Sequence, residues 1–67
     1  MEIHTAISLL NKKGIIVDQF YNDVKKAHFI TVSINGRVKI YDKPVVGKDK
    51  INTAIRKTIF HFAELNK

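Results

Sequence analysis

The chain has 67 residues and no cysteine. Twelve Lys and Arg stand against six Asp and Glu, a formal net charge of +6, and the absence of thiols excludes a disulfide framework or a thiolate zinc site. One small domain over residues 1–67 is expected. It buries only about 60% of its unfolded surface, so apolar packing must stabilise it and dimerisation would help.

The first element reads as a helix over Glu2 to Lys13. Ile3, Ala6, Ile7 and Leu10 recur as one apolar stripe at i, i+3, i+4 and i+7. Lys12 and Lys13 fall in its last turn, where cations complement the helix dipole. Gly14 follows where a left-handed cap is wanted. His4, Ser8 and Asn11 fall on the outer side.

Ile15 to Tyr21 reads as a strand, buried on both sides at its start. Asn22 to Lys26 is polar and turn-like. His28–Ser33 and Arg37–Asp42 then alternate around an Asn-Gly signal. A two-residue turn at Asn35-Gly36 sets Ile34 against Arg37 and Val32 against Lys39, which breaks the apolar pattern. A three-residue loop of Ile34, Asn35 and Gly36 repairs it. Val32 then faces Val38, Ile30 faces Ile40, and His28 faces Asp42. The other face carries Phe29 with Tyr41, Thr31 with Lys39, and Ser33 with Arg37. Such a platform of aromatic and basic side chains can stack bases and contact phosphates. The same Phe29–Tyr41 pair can equally serve as a cross-strand contact that stabilises the sheet.

Lys43 to Lys48 reads as a connection and Asp49 as the N-cap of the last helix. Ile51, Ala54, Ile55, Thr58, Ile59, Phe62 and Leu65 give that helix a stripe of over four turns. Phe60 points nearly opposite the stripe, among Thr53, Arg56, Glu64 and Lys67, and is expected to be exposed, either as a single surface hydrophobe that needs no explanation or as a partner or dimer contact. The fold class is therefore α+β, in the order α-β-β-β-α, with a three-stranded antiparallel sheet and two helices packed on one face.

The charge balance favours a polyanionic partner, nucleic acid first and an acidic protein surface second. The candidate nucleic-acid contacts are Lys12, Lys13, Lys25, Lys26, Lys48, Lys50 and Lys57, with Phe29, Arg37, Lys39 and Tyr41 on the sheet. His4, His28 and His61 lie on three different elements, and no paired-ligand spacing supports a metal. No Gly-rich phosphate loop is present. No cofactor is expected. No run approaches the roughly 20 apolar residues of a membrane span, no signal peptide is visible, and a cytoplasmic location is expected.

The element order, with "ISLLNKKG", "HFITVSING" and "VGKDKINTAI", resembles the double-stranded-RNA-binding domain. That resemblance implies phosphate contacts from the lysine-rich start of the last helix, here Lys48 and Lys50, with Lys57 further on. Ile51, Asn52 and Thr53 stand where the family carries its Lys-Lys-x-Ala-Lys pattern. "LLNKKG" and "GKDKINTAIRKTI" also resemble HicA-type mRNA interferase toxins, which share this order. That second resemblance implies that His28 is a general acid or base for attack of an RNA 2′-hydroxyl on its phosphate.

The leading expectation is thus a small nucleic-acid-binding module, with RNA slightly ahead of DNA and no catalysis. One alternative is a HicA-like ribonuclease using His28. Another is a protein-binding adaptor or inhibitor of a mobile-element type, using Phe60 or the sheet edge.

Overall fold

The computed structural model describes the backbone of residues 1–67 and every side chain except that of Asp42. In chain order it holds α1 (Ile3–Lys12), β1 (Ile15–Asn22), β2 (Ala27–Ile34), β3 (Arg37–Val45) and α2 (Lys48–Leu65). The strands form one antiparallel sheet in the order β1-β2-β3, so the expected α-β-β-β-α layout is the observed one. Each strand runs slightly past the expected bounds.

The core lies between the helices and one half of the sheet. Ala6 and Leu10 of α1, Ile59 and Ala63 of α2, Ile15 of β1 and Val32 of β2 form its buried cluster. The small residues Ala6 and Ala63, both fully buried, let the two helices approach closely where they pack on each other. Ile30 is the largest fully buried side chain. No described side chain of β3 is buried. The helices cover β1 and β2 and leave β3 projecting beside them.

That incomplete cover overturns the expected hairpin. Ile34 pairs with Arg37, Ser33 with Val38, Val32 with Lys39, Thr31 with Ile40 and Ile30 with Tyr41. The loop is the two-residue turn at Asn35 and Gly36, not the three-residue loop Ile34-Asn35-Gly36. Both central residues have positive φ, +51° and +87°, the requirement of a type I′ turn, whose twist matches that of the flanking strands. Setting Lys39 on the same face as Val32 counts against this register only if helices lie over both. Here Val32 is under them and Lys39 is beyond them.

At the other end of the hairpin the register shifts between His28 and Ile30, and His28 pairs with Val45. The expected contact between His28 and Asp42 involves a side chain outside the described residues.

Three further expectations change. Ile16 is exposed on the open face, so the start of β1 is buried on one side only. Helix α2 begins at Lys48 with Gly47 as its N-cap, φ +104°, and Ile51 N–H donates to Gly47 O at 3.0 Å. Asp49 therefore lies inside the first turn instead of capping it, where its charge still suits the helix dipole. Phe60 is half-buried and packs against the core cluster, so it is not an exposed handle for a partner. Its position off the main stripe is filled because α2 meets α1 as well as the sheet.

Candidate nucleic-acid interface

The strand register decides which face each basic side chain joins. Successive residues of a strand point to opposite sides. Because Ile30 and Val32 face the helices, their partners Tyr41 and Lys39 do too, and Arg37 follows with Ile34. The expected platform of Phe29, Tyr41, Lys39 and Arg37 on the open face is therefore not assembled. Phe29 alone of the four is on that side. It is buried under Phe20, with ring centroids 5.3 Å apart and planes inclined by 13°, and the Lys25 Nζ lies 5.7 Å from its ring centre. Its surface is already occupied and cannot stack a base.

The other three meet α2 across a cleft. On one side of Tyr41 a groove of about 650 Å³ is lined by Asp49, Lys50, Thr53, Lys57 and His61 of α2. On the other side a groove of about 710 Å³ is lined by Arg37, Lys39, Ile34 and Asn35 of the hairpin and by Phe62. Tyr41 belongs to both. Its ring is held edge-on against Phe62 at 5.3 Å and tilted against His61 at 6.4 Å. The arrangement is an aromatic wall with two strand cations at one end and two helix cations at the other.

The cleft exists because β3 presents Arg37, Lys39 and Tyr41 toward the helix side. Charged side chains resist dehydration, so α2 does not close on them. Among the described residues the one ion pair is Lys67 with Glu64, at 3.1 Å. Arg37, Lys39, Lys50 and Lys57 are exposed. Among the described residues Asp49 is the only acid lining the two grooves.

The remaining candidates are placed elsewhere. Lys12 and Lys13 end α1 beside Gly14, whose carbonyl accepts from the Asn35 N–H at 2.9 Å. They therefore sit at the hairpin-tip end of the molecule. Lys25 and Lys26 form the β1–β2 turn at the opposite end, and Lys48 opens α2. His28 lies half-buried on β2, with Nδ1 3.0 Å from Gln19 Oε1, a bond that the Nδ1-protonated tautomer donates. Tyr21 packs edge-on against its ring at 4.9 Å.

Sequence reasoning missed His61 and Thr53 as cleft residues. A signal for them exists: Lys50, Thr53, Lys57 and His61 recur at the i, i+3, i+7, i+11 spacing of one helix face. That polar stripe runs alongside the apolar one and was masked by it.

No protein-family model, curated protein or solved structure matches the chain. No helix of the described residues is long and apolar enough to cross a membrane.

Proposed function

We propose that the protein is a small nucleic-acid-binding module whose binding surface is the cleft between β3 and α2. The observation that carries this is the convergence of Arg37, Lys39, Lys50 and Lys57 on the two sides of Tyr41, in a chain of net charge +6. Cations spaced along a groove track a phosphate backbone, and an aromatic wall between them offers a stacking surface to a base. Lys48, next to Asp49 at the start of α2, extends the basic track. Single-stranded or looped nucleic acid suits this cleft, because only an unstacked base can reach Tyr41. The resemblance of the element order to the double-stranded-RNA-binding domain keeps RNA ahead of DNA.

The test is fluorescence anisotropy with labelled single-stranded RNA, single-stranded DNA and the matching duplexes. Binding to single strands that weakens about 50-fold between about 50 and 200 mM salt, as four phosphate contacts require, supports the proposal. No binding to any of the four at the lower salt rules it out.

A further inference from the structure

The cleft uses the helix side of β3, with Ile40 of the open face at its margin. That face carries Ile16, Phe20, Val38 and Ile40, exposed to 57%, 42%, 65% and 59%. The pairings Ile16–Ser33–Val38 and Asp18–Thr31–Ile40 set them on the two outer strands of one face, on either side of Ser33 and Thr31 of the middle strand. Together they expose on the order of 400 Å² of apolar surface, within the range of the largest patch on a typical monomer, which is often functional.

We infer that this face is the interface of a homodimer, in which two sheets stack with the helices outermost. Three observations name a second copy as the occupant. The first is surface. The chain exposes 5000 Å², where a monomer of its mass should expose about 4,300 Å². Hiding that surplus on each of two copies removes about 1,400 Å², within the standard size of a specific interface. The second is shape. The body measures 36 × 24 × 15 Å with a radius of gyration of 12.0 Å, against about 10.9 Å for a compact domain of this length. Its thin dimension is a single sheet with a single layer of helices, and stacking two sheets about 10 Å apart thickens it into a doubled core.

The third observation is charge. Two bodies of net charge +6 repel unless they meet where cations are few. Arg37 and Lys39 point to the other side of the sheet. Among the described side chains the charged residue within the patch is Asp18, and Lys25 lies at the rim, over Phe29. An anionic lipid surface or a nucleic acid would find no described cation across the centre of this face, whereas a second copy meets a flat face free of the lysines that repel it elsewhere. The stacked dimer turns its two β3–α2 clefts outward on opposite sides.

Sedimentation equilibrium over a dilution series tests the inference on the unmodified chain. The expected mass is twice the 7.7 kDa of the chain, falling toward the monomer value on dilution. Val38→Lys with Ile40→Lys should give a monomer of unchanged far-ultraviolet dichroism, and Ile16→Lys on the opposite edge should do the same. Val24→Lys, in the β1–β2 turn and 92% exposed, should leave the dimer intact. A wild-type mass of one chain throughout the series overturns the inference, and so does a dimer that persists in the Val38/Ile40 variant. The wild-type measurement decides the matter even if a lysine variant fails to fold.

Discussion

Replacing Gly14 by Ala should destabilise the protein by about 1.5–2.5 kcal/mol, and Asn35 should account for part of that loss. Gly14 follows α1 with φ +74°. A Cβ there meets its own backbone in the left-handed region, which for an L-residue costs roughly 1–2 kcal/mol. It would also lie 2.5 Å from the Asn35 Oδ1. Asn35 must then turn its side chain away, and it does so easily because that side chain is exposed. The steric share is accordingly smaller, on the order of 0.5 kcal/mol, close to the cost of a side chain pushed off its rotamer. The backbone share cannot relax, because the Gly14 carbonyl accepts from Asn35 N–H and its N–H donates to Asn11 O. For a chain this short the whole stability is about 3–10 kcal/mol. Urea unfolding followed by circular dichroism, at fixed protein concentration because association shifts the midpoint, should show a midpoint lowered by about 1.5–2.5 M. Asn35→Gly keeps the positive φ of the turn and removes the clash. In that background Gly14→Ala should cost less than in the wild type. An unchanged midpoint for Gly14→Ala would refute the left-handed corner. Equal costs in the two backgrounds would refute the docking of the hairpin tip against it.

Other outcomes follow from the same packing. Ile30→Val should cost about 0.5–1.5 kcal/mol, measurable by urea unfolding, because Ile30 is fully buried and one methyl is lost. Phe60→Ala should cost about 1.5–2.5 kcal/mol, roughly half the value for a fully buried Phe, whereas removing an exposed Phe would change stability by no more than a few tenths. Tyr41→Leu should preserve the fold, since the leucine still fills space against Phe62, while binding of single-stranded RNA weakens about 5- to 150-fold through loss of stacking.

The parts of the fold that were legible in the sequence are those governed by local rules. The stripes Ile3-Ala6-Leu10 and Ile51-Ile55-Ile59-Phe62 placed both helices, and Gly14 and Asn35-Gly36 marked the corners at which the chain reverses. The hairpin register was misjudged for a tertiary reason. Alternation in Arg37–Tyr41 states which residues share a face, but not which face the helices cover. Val38 and Ile40 were assigned to the core because apolar residues are usually buried, yet here they face outward and Arg37, Lys39 and Tyr41 face the helix side. The same reasoning placed Phe60 by helical angle alone and could not register that α2 packs against α1 as well as the sheet. The candidate cations were all visible as residues. Their assembly was not, because Lys50 and Lys57 meet Arg37 and Lys39 only through a register that the sequence pattern argued against. Phe20 was overlooked because its partner Phe29 had been matched with Tyr41.

The central claim is that the β3–α2 cleft holds the nucleic acid, and the salt dependence of affinity in paired variants tests it most directly. Lys50→Gln with Lys57→Gln, and separately Arg37→Gln with Lys39→Gln, remove exposed charges without touching the core. Each pair should flatten the slope of log affinity against log salt by roughly 1.4 on single-stranded RNA, the value for two phosphate contacts. The control pair Lys25→Gln with Lys26→Gln, at the β1–β2 turn, should flatten it far less. A slope that the turn pair reduces as much as either cleft pair, or that neither cleft pair changes, would contradict the account.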